Sequence, residues 1–167
     1  MGRRIGRWIC RQTSRQRRDP VEIRELLLRW NDKGRIRVEF LANRPLGNTE
    51  TTVVTAGVAV GPAAGETVDA VILARLERLS QHERRRLVVV TRDIPLAERC
   101  LPYGCTVMND RGTVFDAATV GERRSVRDGN AEIRALGLES MTRTRSFGAR
   151  EVKRFADALD RILNVAP

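Results

Sequence analysis

The sequence predicts an α/β fold, three-layered, on a mostly parallel sheet. Three observations carry that expectation. Leu87-Val88-Val89-Val90 is a run of four apolar residues, three of them β-branched, between polar flanks, which suits a strand buried on both faces. The run passes through Thr91-Arg92-Asp93 into a helix whose first turn can hold Pro95, where the missing N–H is not needed. Elsewhere, short β-branched runs alternate with stretches of helical periodicity, the pattern of strand–helix–strand units.

Composition narrows the classes. At 167 residues one domain is the simplest organisation, and with 4% aromatic residues its core must be aliphatic. Cys10, Cys100 and Cys105 form no C-x-x-C pair, which argues against a disulfide framework or a zinc site and for a reducing, cytoplasmic setting. His82 is the only histidine and lies in a polar stretch that reads as a solvated loop, so neither a multi-histidine metal site nor a Ser-His-Asp triad finds support. No apolar run approaches the ~20 residues of a membrane span, so no membrane partner is expected. The net charge is +10, but residues 1–18 hold seven arginines and no acid, leaving 24 basic against 21 acidic groups in the rest. Any electrostatic affinity for nucleic acid therefore rests mainly on that N-terminal segment.

In chain order, residues 1–18 show no sustained periodicity and read as a basic arm, with a short extended piece at Arg7-Trp8-Ile9-Cys10. The patterned domain then runs over 19–167. Asp19 and Pro20 open a helix carrying Ile23, Leu26, Leu27 and Trp30 on one face, and Gly34 ends it. Ile36, Val38 and Phe40 alternate with Arg37 and Glu39 as a strand that continues through Leu41 and Ala42. A second β-branched run at Thr51–Thr55 leads into a Gly/Ala/Pro loop at Gly57–Gly65. That loop has neither G-x-G-x-x-G nor G-K-[ST], which disfavours a dinucleotide or P-loop site. Val68, Ile72, Leu76 and Leu79 mark a helix over Glu66–Ser80. After the Pro95 helix, Gly104 is a stop, Cys105–Met108 a strand and Asn109-Asp110-Arg111-Gly112 a turn. Thr113-Val114-Phe115 is an edge strand or the lead into a helix capped by Asp116. Further helices are expected over Ser125–Gly137 and from Val152 to Leu163, after a loop at Ser140–Gly148.

Ligands of open α/β sheets bind beyond the carboxyl ends of the strands, so Asp93, at a strand-to-helix join, is placed for chemistry as well as for capping. The stretch Val90-Thr91-Arg92-Asp93-Ile94-Pro95-Leu96-Ala97 with Asn109-Asp110-Arg111-Gly112 resembles the YaiI/YqxD family of uncharacterised bacterial proteins. Further matches are Leu41-Ala42-Asn43-Arg44-Pro45-Leu46, Val68-Asp69, Val126-Arg127-Asp128 and Arg145-Ser146-Phe147-Gly148-Ala149-Arg150-Glu151-Val152-Lys153, across residues 19–163.

The resemblance implies a PIN-like fold, related to NYN ribonuclease domains, and Mg²⁺- or Mn²⁺-dependent phosphodiester hydrolysis. Hard carboxylate oxygens must hold the ion while leaving it water to activate. By the same resemblance, Asp69, Asp93 and Asp128 are candidate metal ligands, with Asp93 and Asp128 catalytic. Asn109, Arg111 and Arg127 are candidates for contact with RNA phosphate or for orienting the acids. Taken singly, Asp69 is also a favourable charge at a helix start, Asp128 a partner for Arg124 or Arg127, and Arg111-Gly112 a turn.

One departure weighs against catalysis. Family members open with a strand ending in Asp-x-Asp-x-Cys-Pro, whereas this chain reads Ser14-Arg15-Gln16-Arg17-Arg18-Asp19-Pro20. The expectation is therefore a fold lacking a regular first strand and an acidic site lacking two carboxylates, with like charge brought toward any bound cation. The abrupt change of character at Pro20 also fits a shifted reading frame, which translating the encoding DNA in its other two frames tests. Three functions follow: a metal-dependent ribonuclease or degenerate relative, a non-catalytic RNA-binding or adaptor protein, and, on fold analogy alone, a small phosphate binder.

Overall fold

The computed structural model describes residues 7–13, 21–42, 67–135 and 147–165. They form β1 (Arg7–Thr13), α1 (Val21–Asp32), β2 (Ile36–Ala42), α2 (Val68–Arg78), α3 (Gln81–Arg85), β3 (Leu87–Val90) and α4 (Ile94–Cys100). A 3₁₀ turn (Leu101–Tyr103), β4 (Thr106–Met108), β5 (Val114–Phe115), α5 (Ala117–Ala135) and α6 (Ala149–Asn164) follow. The strands build one open sheet in the order β2-β1-β3-β4-β5, with the first four parallel and β5 antiparallel to β4.

The missing first strand is the main correction. Arg7–Thr13, expected within a basic arm, lies between β2 and β3 and pairs with both: Ile9 is opposite Val38 and Val88, and Cys10 opposite Glu39 and Val89. Strand pairing is made by backbone groups, so it needs no apolar pattern. Two neighbouring strands with unpaired N–H and C=O groups provide the incentive. The segment also contains neither Pro nor Gly, and Trp8, Ile9 and Thr13 favour extended backbone. It contains no Asp or Glu, so this strand brings no carboxylate to the sheet.

Successive residues of β3 divide between two hydrophobic clusters. Val88 and Val90 join Ile23 and Leu27 of α1, Val38 and Phe40 of β2, and Phe155 and Leu159 of α6. Leu87 and Val89 join Ile72 and Leu76 of α2, Leu96 and Ala97 of α4, Phe115 of β5 and Val120 of α5. The period of two in a strand explains both the division and the uninterrupted apolar run, since each face meets a core.

The helices follow their local signals, with two differences. Around His82 the polar stretch is the short helix α3 rather than a loop. Ser80 Oγ accepts from the Glu83 N–H at 3.3 Å while Glu83 accepts from the Ser80 N–H at 2.8 Å, a capping box that a solvated reading overlooks. The helix expected from Ser125 is continuous with the one expected after Asp116, a single helix from Ala117 that Asp116 caps through a 2.7 Å bond from the Thr119 N–H. The Thr51–Thr55 run, the Gly57–Gly65 loop and residues 136–146 lie outside the described residues. No helix among the described residues is long and apolar enough to cross a membrane.

Candidate functional site

β3 and β4 are parallel neighbours with Val90 level with Met108, so both deliver their following residues to the same edge of the sheet. The Thr91 N–H donates to the Met108 carbonyl at 2.9 Å, extending the pairing one step. Thr91 Oγ1 then accepts from the Asp93 N–H at 3.0 Å, and Asp93 Oδ1 accepts from the Leu96 N–H at 3.1 Å. Asp93 is thus the N-cap of α4, as its place before Ile94-Pro95 predicts, and its exposed carboxylate is fixed in position by that cap.

Asp69 sits in the first turn of α2, behind the Thr67 cap. Burial, and then the charge of Asp93, push its carboxyl above the ordinary aspartate range, while Arg99 pulls the other way. Two acids 24 residues apart in sequence therefore share one electrostatic neighbourhood. A raised folded-state pKa means that the native protein binds this proton more tightly than the unfolded chain. Stability then declines as pH rises from the ordinary value through the raised one. Asp69→Asn is accordingly expected to melt above wild type at pH 7 and to converge with it in acid. Thermal melts at the two pH values check this.

Arg127 and Asp128 lie in α5, and their side chains fall outside the described residues. Among the described residues, no group of three or more His, Cys, Asp or Glu could hold a metal ion.

The Asn109–Gly112 turn does sit beside the Asp93 join, and its side chains have identifiable work. Asn109 Oδ1 accepts from the Arg111 and Thr113 N–H groups, both at 2.9 Å, so the oxygen shapes the turn. Arg111 faces Glu151 at 3.9 Å, with its guanidinium 5.8 Å from the centre of the Phe147 ring. It thereby ties the turn to the start of α6, where the Gly148 N–H donates to Glu151 at 3.1 Å. Gly112 has φ +79 and lies against the backbone of α6 at Arg154.

Two features of this region carry no signal in the sequence. Asp110 is only 4% exposed, and its carboxylate pairs with the guanidinium of Arg92, the residue before Asp93. Its second oxygen, Oδ1, is buried without a hydrogen-bond partner. Nothing in an Asn-Asp-Arg-Gly turn distinguishes a buried Asp from a solvated one, beyond its position just past an apolar strand.

Cys100 and Cys105 are free, buried thiols, and the Cys105 thiol donates to the Cys100 carbonyl at 3.4 Å. Burial pushes them up to about 12 and about 11, so they pack as apolar groups rather than serve as nucleophiles. In the native protein both are expected to resist alkylation at pH 8 and to react fully after denaturation, a difference read by mass spectrometry.

These features define an α/β protein with a mixed five-stranded sheet whose parallel strands bring Asp93 and the Asn109–Gly112 turn to one end, with Asp69 in the field of Asp93. The chain belongs to the YaiI/YqxD family: residues 18–165 match the family described as "Uncharacterized BCR, YaiI/YqxD family". The match begins C-terminal to β1. Among its relatives, a UPF0178 protein of Psychromonas ingrahamii is 33% identical over 88% of this chain and 91% of its own length. One from Syntrophobacter fumaroxidans is 34% identical over 85% and 86%, and one from Desulfotalea psychrophila 36% over 86% and 90%. No solved structure gives a significant match.

Proposed function

We propose that the chain is a three-layer, PIN-like domain whose crevice at Asp93 and Asp69 acts on RNA phosphodiesters with Mg²⁺ or Mn²⁺. The electrostatic neighbourhood of Asp69 carries this reading: burial first, and then the charge of Asp93, raise its carboxyl, and a divalent cation between the two acids would relieve that cost. Such a pair fits Mg²⁺, which commonly takes one or two carboxylates and fills its remaining positions with water and substrate phosphate. When bound, the ion would neutralise charge on the phosphate and supply activated water. Asp93 would meet it as a pre-positioned ligand, its geometry set by the α4 cap. Asp69 would meet it from the first turn of α2. Asp128 is the third candidate ligand, from α5.

The test is cleavage of single-stranded and structured RNA with and without Mn²⁺. Asp93→Ala should remove the metal-dependent cleavage, and equal cleavage by the two proteins eliminates the role. Mn²⁺ should also raise the Tm of wild type but not of the Asp69→Asn, Asp93→Asn double variant.

A second reading has one observation in its favour. β1 is an interior strand of the sheet and carries Arg7 and Arg11 with no acid, and at positions 15 and 17, where the resemblance leads one to expect two carboxylates, the sequence has arginines. That favours RNA binding without turnover, in which the basic N-terminal residues supply salt-dependent affinity. Binding that weakens steeply with salt, in a protein that never cleaves with Mn²⁺, selects it.

A further inference from the structure

We propose that Arg92, held in place by Asp110, is the phosphate anchor of this crevice; this deepens the phosphodiester reading and rests on it. Arg92 immediately precedes Asp93 and leaves the sheet at the same edge, between the ends of β3 and β4. Its guanidinium carries five N–H donors in a planar fork, and it pairs through Nη2 with Oδ2 of Asp110, whose Oδ1 it leaves unengaged. The Arg92 side chain is one-third exposed, at 34%, while that of Asp110 is at 5%. A carboxylate held below the surface therefore fixes a cation that solvent and ligands can reach.

The pairing is also incomplete. A two-pronged grip would satisfy both carboxylate oxygens, but here Oδ1 is buried and bare, and buried polar atoms are rarely left so without a reason. The one-pronged contact leaves donors of the fork uncommitted, and a fork suits two phosphate oxygens better than a point charge does. Arg111, the arginine that the sequence favours for this task, is turned to Glu151 and Phe147 instead. Asp110 neutralises Arg92 electrically, so its contribution to binding is orientation rather than charge. That makes Asp110 a positioning residue and fixes the sign of the test.

The experiment is equilibrium binding of a short fluorescein-labelled single-stranded RNA, in EDTA, across a KCl series. The Arg92→Ala, Asp110→Asn double variant keeps the net charge and leaves no unpaired buried charge behind. It should bind about tenfold more weakly, with a salt slope shallower by about 0.7, the loss of one phosphate contact on a single strand. Asp110→Asn alone gains a unit of positive charge, which would tighten purely electrostatic binding, yet it should bind more weakly than wild type. A double variant with wild-type affinity and slope, or an Asp110→Asn protein that binds more tightly, overturns the anchor. Because this series contains no metal, loss of Mn²⁺-dependent cleavage bears on the phosphodiester reading alone. A wild type that binds no RNA at any salt overturns both.

Discussion

Ile9→Pro is expected to abolish the cooperative fold. Ile9 is mid-strand in β1 with β2 on one side and β3 on the other. Proline removes the N–H that one of those ladders uses, and its ring is tolerated in sheets only at edges and bulges. The loss, about 3 kcal/mol or more by analogy with proline in a helix interior, is a large part of the roughly 5–15 kcal/mol that ordinarily separates native from unfolded chains. Removing residues 1–18 should have the same result, because β2 and β3 would then face each other across an empty place in the sheet. Near-UV circular dichroism and urea titration read the outcome directly. A fragment 19–167 that melts cooperatively at the wild-type temperature would show that β1 adds nothing to the fold. The expectation has a practical side: RNA binding by the N-terminal arginines must be tested by substitution, since a deletion through residue 18 removes a central strand along with its charge.

Gly112→Ala should be the most costly small substitution in the described structure. A Cβ there would lie 2.6 Å from the Arg154 carbonyl oxygen and 2.8 Å from its carbon, both backbone atoms of α6, and φ is +79. The left-handed conformation costs an alanine roughly 1–2 kcal/mol, and overpacking against a main chain that cannot step aside adds about 1–3 kcal/mol. At about 2–4 °C per kcal/mol for a chain of this size, Tm should drop by roughly 10 °C. Gly104 provides the control: φ is +77, yet nothing lies within 4 Å of the place a Cβ would take, so Gly104→Ala should lose only the conformational part. Equal melting of the two variants would mean that the turn is not seated on α6 as described. The site should feel the change too, because Gly112 belongs to the same turn as Asp110 and Asn109.

How far the site is legible in the sequence varies residue by residue. Asp93 is legible because its role is local: a cap, a proline in the first turn and a preceding strand are all neighbours in sequence. Asn109 stands out in the right turn, but a carbonyl that closes a turn and one that meets a ligand look alike until its partners are known. Asp69 comes only through the resemblance, since a first-turn aspartate on an amphipathic helix has an ordinary explanation; what distinguishes it is the charge of Asp93 beside it. The Arg92–Asp110 pair is not legible at all. Burial of Asp110 depends on how the turn is laid against its neighbours, and no local pattern encodes that.

By itself the sequence determined the elements with strong periods, α1, β2, α2, β3 and α6, the family, and the lack of acids on the N-terminal segment. Those follow from side-chain chemistry repeated at fixed spacing, which is present in the chain before it folds. Only the tertiary structure decided that Arg7–Thr13 is a central strand, that Asp69 and Asp93 share a field, and that Asp110 lies buried against Arg92. Each of these is a long-range relation. Backbone pairing is indifferent to side-chain pattern, and both desolvation and Coulomb energy depend on distances that exist only once the sheet is assembled.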